Sequence, residues 1–380
     1  MMVMVNALSA VSGGAVSYVR NILPRLYDLF KASGGKHRLR ILVHESQLDL
    51  FPGIPASECR ILPGPRPAGY KRAWWEFRNI PCIAQEEQAD VLFHPYQIGR
   101  RVSGIRNVLM MRNMEPFYFG RYRYGANRWV RNYLLGFDSR RSLAGADRVI
   151  AVSGFAEDFL LQSMRISPTR VYRIYHGCDV SSSPDDNTTH DGELLAGLGI
   201  SGDFILTCGS LLPYRRCEDV IRAFGRLDPA KRGRLSLVIA GSGSDQRYSR
   251  LLRREIAASG VAGRILQTGH VPREIMQALY RRCQACVIAS EVEACPNIAI
   301  EAMGHGCVIV ASDSPPLPEM FAGAAAHFPS RDITALAGII QRGLTDRDLR
   351  LRLSERARSR AQDFSWEKCA RETYSALVNW

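Results

Sequence analysis

The sequence predicts an α/β protein of two domains, each a parallel β-sheet wrapped by helices. Three observations carry that prediction. Short apolar runs of strand length alternate with longer segments of helical period along nearly the whole chain. The 380 residues are enough for two domains of ordinary size. A polar Ser/Asp/Thr run over residues 181–190 parts two such series and reads as a linker.

In the first series, residues 2–7 read as a buried strand and 15–30 as an amphipathic helix. Between them Gly13 and Gly14 let the backbone approach a ligand closely, or simply make a β–α turn. Their spacing fits a dinucleotide fingerprint poorly. Further strands are expected at 39–44, 90–94, 107–111, 148–152 and 170–175. Ligands on such sheets gather at the carboxyl ends of strands. His94 and His176 both end strands, and neither is given a catalytic role.

Two stretches, 70–80 and 117–141, interleave aromatic side chains with arginine. Trp74, Trp75 and Trp129 lie in them. An interfacial helix on anionic lipid has this composition, and so does a helix with core aromatics and solvated arginines.

The second series begins near Gly202. Strands are expected at 204–208, 235–240, 265–268, 285–289 and 307–311, and helices at 274–282 and 298–303. The stretch 285–312 organises the rest: a strand, an acidic loop with Glu291 and Glu293, then Pro296 and Asn297 opening a short helix. Asn297 suits the N-cap, and Gly304 and Gly306 suit the end. A helix N-terminus there offers unpaired N–H groups and a positive dipole end to a phosphate. Glu293 and Glu301, eight residues apart, are placed to accept from sugar hydroxyls on either side of it.

Charge is uneven. Residues 1–180 carry 25 Lys and Arg against 14 Asp and Glu, and residues 181–380 carry 25 against 23. Nucleic acid, an anionic membrane or phosphorylated acceptors suit the basic half. The ten cysteines lie singly except for Cys283 and Cys286, with no second pair or histidines at zinc spacing. Reduced, buried thiols in a cytoplasmic protein are expected. No stretch approaches 18 apolar residues, and the first seven lack a basic n-region, so neither a membrane span nor a secretory signal is expected.

Glu293-x7-Glu301, with Ser290 before it and Ala302-Met303-x-x-Gly306-x-Val308 after it, resembles the signature of retaining GT-B glycosyltransferases of the family 4 type. Ala294-Cys295-Pro296-Asn297 is similar to a variant of the segment usual there. The resemblance implies a GT-B fold: two Rossmann-like domains facing across a cleft, with boundaries at 1–180 and 202–363. A linker at 181–201 and a C-terminal helix at 364–380 crossing back to the first domain complete it. It implies glycosyl transfer from a nucleotide diphosphate sugar with retention, on a mannosyl, rhamnosyl or glucosyl-type donor. The site it implies is Glu293 on the donor sugar, Glu301 on the ribose, and backbone at Pro296, Asn297 and Ile298. Ser210, Arg215 and Arg216 resemble the diphosphate segment, where the family has Arg, Lys and Asn, so Arg215 stands for the Lys. Val271 resembles the nucleobase loop, and Gly13 and Gly14 the loop facing the donor. Arg112 and Asn113 stand where a His-Asp pair is usual beside the donor sugar. His176-Gly177-Cys178-Asp179 resembles the close of the first domain.

No cofactor or metal is expected. Asp346-Arg347-Asp348 is formally a metal motif but reads as a solvated helix start. The expected partners are the nucleotide-sugar donor, a glycan or lipid-linked acceptor of surface polysaccharide synthesis, and an anionic membrane surface, at the inner face of the membrane. Nucleic acid is not among them. A nucleotide-sugar epimerase of the same fold and an inactive basic binding protein are the rival classes. The first lacks an acid/base pair at the sugar, and the intact Glu-x7-Glu stretch weighs against the second.

Overall fold

The computed structural model describes residues 1–10, 13–64, 69–178 and 188–380. The first sheet holds β1 (Met2–Asn6), β2 (Arg38–His44), β3 (Cys59–Leu62), β4 (Val91–His94), β5 (Arg106–Met111), β6 (Arg148–Ala151) and β7 (Val171–Arg173). Its order is β3-β2-β1-β4-β5-β6-β7. The second holds β8 (Phe204–Cys208), β9 (Ser236–Ala240), β10 (Ile265–Gly269), β11 (Ala285–Ile288), β12 (Ile309–Ser312) and β13 (Ala325–Phe328), in the order β10-β9-β8-β11-β12-β13. Both are parallel throughout, with Val5 beside Ile41 and Phe93, and Cys286 beside Ile309. Strand order reverses between β1 and β4 and again between β8 and β11. Each reversal leaves a crevice at the carboxyl ends.

The central strands are buried along their whole length, which is why they read as unbroken apolar runs and not as alternations. Phe93 and Phe204, fully buried, anchor the two sheets, and truncating either to Ala costs about 3–5 kcal/mol. β3 and β13 escape the sequence pattern. Both are four-residue edge strands, and β13 opens with two alanines, poor strand formers.

The chain divides into two units, one of residues 1–114, 134–177 and 365–380, the other of 115–133 and 178–364. The change-over at 177/178 lies close to the expected boundary at 180, but residues 115–133 fall in the second unit and not, as expected, in the first. The linker is corrected too. Thr188–Ala196 is a helix, fixed by the buried Asp191 in a two-pronged pair with Arg281 at 2.5 and 2.7 Å. Asp179 and the 181–187 part of the linker lie outside the described residues.

The C-terminal helix Trp366–Val378 does return to the first unit. Ser365 caps it by accepting from the Lys368 N–H, and Arg25 and Phe30 of the Gly14–Ala32 helix meet Glu367 and Tyr374. Gly177 is obligatory there, since a Cβ would come within 2.3 Å of the Trp366 nitrogen. Asp346 caps the Arg347–Ala361 helix by accepting from the Leu349 N–H. All ten cysteines are free.

Candidate active site

The loop after β8 turns back through a 3-10 turn, Pro213–Arg215. It begins at Gly209, whose φ is +112°. A Cβ there would lie 2.8 Å from Arg215 Nη1, so glycine lets the guanidinium lie over the backbone. Arg215 reaches across to the loop after β11, where Nη1 stands 3.2 Å from Glu293 Oε1. Both side chains are largely buried, at 16% and 8% exposure. Burial pushes the Glu293 carboxyl above its usual range, Arg215 pulls the other way, and Glu115 adds a smaller push upward. Burial alone would weaken the Arg215 cation, but Glu293 and Tyr214 more than offset it. Arg215 Nε is buried and has no hydrogen-bond partner among the described residues. Such a donor costs free energy until an acceptor arrives. A pocket opens beside it, lined by Ser210, Leu211, Arg215, Ser290 and Ile298 among others.

Arg216, one residue on, is turned away. It sits in the left-handed region at φ 52° and ψ 36°, and its guanidinium is taken by Glu218 at 2.8 Å and by Asp219 at 2.8 and 3.0 Å. In this arrangement its guanidinium holds the start of the Cys217–Gly225 helix.

Past β11, Glu291 N–H donates to the Tyr214 carbonyl at 2.8 Å, which ties the two loops together. Arg331 and Ser330 hold the Glu291 carboxylate, so Glu291 is structural. The Asn297–Gly304 helix begins one residue earlier than expected. Pro296 takes the N-cap position without a side-chain bond, so Asn297 is the first helical residue and not the cap. Gly306, at φ +67°, ends the helix as expected: its N–H bonds Met303 O at 2.9 Å, and Cys307 N–H bonds Ala302 O at 3.0 Å. Glu301 lies in the second turn and accepts from the Tyr280 hydroxyl at 3.2 Å.

The structure thus brings Ser210, Arg215, Glu293, Pro296, Asn297, Ile298 and Glu301 onto the two loops and one helix at the β8/β11 crevice. Val271 follows the edge strand β10 and does not line the pocket. Gly13, Gly14, Arg112 and Asn113 belong to the first unit. There Gly13 precedes the Gly14–Ala32 helix, Arg112 lies over Tyr18, and Asn113 exchanges two bonds with Gln97 at 2.9 and 3.0 Å.

Sequence reasoning missed the part residues 115–133 play. Glu115, 5% exposed, takes both prongs of Arg128 at 3.0 Å and a bond from Asn132. Gly125 N–H donates to Asp245, the cap of the Gln246–Ala258 helix. Its signal was the aromatic and arginine density, which fitted an interfacial helix and a helix with core aromatics and solvated arginines equally. The same stretches do hold both kinds of residue. Trp75 and Tyr124 pack inward, while Trp74, Phe77, Trp129, Tyr133 and Phe137 are exposed.

Two family models match the chain. Residues 12–182 match Glycosyltransferase Family 4, and residues 199–360 match Glycosyl transferases group 1. Among curated proteins, the serotype-specific mannosyltransferase WbdA of Escherichia coli is 24% identical over 226 residues, 59% of this chain. The chain spans 28% of that relative's length. The O-antigen chain mannosyltransferase B of Escherichia coli is 23% identical over 301 residues, covering 77% of this chain and 75% of that one. Among solved structures, Anabaena Alr3699/HepE in complex with UDP-glucose matches over the full length of both chains, with a TM-score of 0.75 at 17% identity.

Proposed function

We propose, from the premise that the chain belongs to the GT-B glycosyltransferases through its family 4 and group 1 domains, that it moves a sugar from a nucleoside diphosphate sugar to a hydroxyl acceptor with retention. The observation that carries this reading is the buried Arg215–Glu293 pair beside the pocket at the β8/β11 crevice. Arg215 meets the diphosphate, whose charge grows as the glycosidic bond breaks. The start of the Asn297–Gly304 helix adds N–H donors and a positive dipole end. Both interactions strengthen in the transition state, so they speed the chemical step and not merely binding. Glu293 orients the sugar, and Glu301 accepts from the ribose. The acceptor then attacks the oxocarbenium-like carbon on the face the leaving group shields, and the departing phosphate takes the proton. Charge stabilisation in this scheme comes from Arg215 and the helix, and no metal takes part. Proton NMR of the glycoside first formed on the acceptor tests the stereochemistry: the anomeric configuration of the donor is expected, and the opposite configuration overturns the reading.

The acceptor in this reading is a lipid-linked or surface glycan met at the inner face of the membrane. Mannosyltransferases of O-antigen synthesis among the relatives support it. So does the outer face of the Ala126–Gly145 helix, where Trp129, Val130, Tyr133, Leu134 and Phe137 recur at helical spacing, each at least 46% exposed. Arg121, Arg123 and Arg131 flank it, exposed. Aromatics at headgroup level beside basic residues suit anionic lipid. No described helix is long and apolar enough to cross a membrane. Co-sedimentation with anionic vesicles is expected to fall with salt and with Trp129→Glu and Phe137→Glu together. Indifference of the intact protein to such vesicles at low salt overturns it. Arg128 is no probe for this, because it holds Glu115.

A further inference from the structure

Tyr280 is absent from every motif in the chain, yet it reaches the proposed ribose site. It lies in the last turn of the Arg273–Arg282 helix and is 2% exposed. Its hydroxyl lies 3.2 Å from Glu301 Oε2 and 3.4 Å from Cys208 Sγ. Its ring stacks on His305, the C-cap of the helix that carries Glu301, with centroids 5.5 Å apart and planes at 16°. Its carbonyl accepts from the thiol of Cys307, the residue that closes that helix's terminal motif. One side chain therefore touches the Asn297–Gly304 helix at its middle and at its end. Burial, with the neighbouring Cys208 and Glu301 adding to it, holds the phenol protonated. A protonated phenol has one O–H to give, and of its two neighbours the carboxylate is the stronger acceptor.

We infer that Tyr280 is a positioning residue for nucleotide selection: its hydroxyl fixes one oxygen of Glu301, so that the other is presented to the ribose diol in a single orientation. This rests on the reading of Glu301 as the ribose carboxylate. A carboxylate free to rotate about its last torsion accepts from a diol in many poses, and one pinned at Oε2 accepts in few. The gain falls on the discrimination between ribose and deoxyribose, since a site built to accept from a hydroxyl rejects the analogue that lacks it. A side chain that only packs the helix would affect both sugars alike.

The test is calorimetry of the full chain with UDP, GDP and ADP and their 2′-deoxy and 3′-deoxy counterparts. Wild type is expected to prefer the ribose form of its nucleotide by tenfold or more, and Glu301→Ala to abolish the preference. Tyr280→Phe is expected to cut it at least threefold while deoxy affinity stays within twofold. Replacing Tyr280 with 4-aminophenylalanine, which keeps an N–H donor in the same shape, is expected to restore it and serves as the probe should the Phe variant fold poorly. A preference that survives Glu301→Ala overturns the ribose reading itself. A preference lost in Glu301→Ala but kept in Tyr280→Phe, or equal losses for ribose and deoxyribose, overturns the role of Tyr280 alone. In the 4-aminophenylalanine variant, failure to restore the preference counts the same way.

Discussion

Two crevices of the same topology differ in how far their polar residues bond to one another. Both sheets place polar residues at the carboxyl ends of the strands where the order reverses. At β1 and β4 these residues close upon one another: Asn6, fully buried, bonds Tyr96 at 2.6 Å and His94 at 3.2 Å and reaches Glu76 at 3.4 Å, and the Tyr96 hydroxyl bonds Glu76. At β8 and β11 the cation Arg215 is buried with a donor to spare beside a pocket. Topology makes the crevice, and the loops decide whether it is filled by the protein's own hydrogen bonds or kept for a ligand. The first arrangement is held mainly by its own hydrogen bonds, which rigidify it, although Glu76 Oε1 and His94 Nε2 are also buried without a hydrogen-bond partner among the described residues. The second leaves desolvated groups unmatched, which is worthwhile only where an acceptor arrives.

The largest effect expected from this contrast is Arg215→Ala. Losing one electrostatic contact to a developing charge slows transfer about 100-fold, or ~2.7 kcal/mol. Steady-state kinetics decide it: a loss within about twofold means that Arg215 does not meet the leaving group. Asn6→Ala sharpens the other half. It leaves Glu76, His94 and Tyr96 short of a partner, and a cost of about 2–3 kcal/mol in chemical denaturation is expected, with nucleotide affinity unchanged. Unchanged stability with lost nucleotide affinity would reverse the two roles. Glu301→Ala removes a charged acceptor and weakens nucleoside diphosphate binding by about 1.5–3 kcal/mol in calorimetry.

The last effect concerns pH. Burial lowers His94 from the usual 6.5 to about 4, so the imidazole is neutral in the folded chain. The unfolded state binds more protons between those values. Stability is therefore full above about 6.5 and falls as pH drops toward about 4, by at most ~1.4 kcal/mol per pH unit for one such group. His305 in the second unit is lowered in the same way, so His94→Gln should flatten the slope without removing it. An unaltered slope in that variant would place His94 outside the closed network.

How much of this the sequence disclosed differs by region for physical reasons. The central strands were legible because burial on both faces demands unbroken apolar runs, as in β8 and β11. The Glu293-to-Glu301 spacing was legible because its residues are contiguous on one loop and helix. Arg215 and Arg216 were not separable, since adjacent arginines look alike until a left-handed backbone turns one toward Glu218 and Asp219. Tyr280 was invisible for a different reason: it lies 21 residues before Glu301, and only packing brings its hydroxyl there. Residues 115–133 misled because the aromatics that dock and those that face solvent alternate on short elements whose period no single pattern fits.

Hydrogen–deuterium exchange measures the contrast most directly, with and without whichever of UDP, GDP, ADP or dTDP most raises the melting temperature. At 100 times its dissociation constant such a ligand adds about 2.7 kcal/mol of stability. New protection is predicted at residues 209–216 and 290–301, with none at 69–80 or 94–100. Protection confined to the β1/β4 segments, with 209–216 and 290–301 unaffected, would contradict the account.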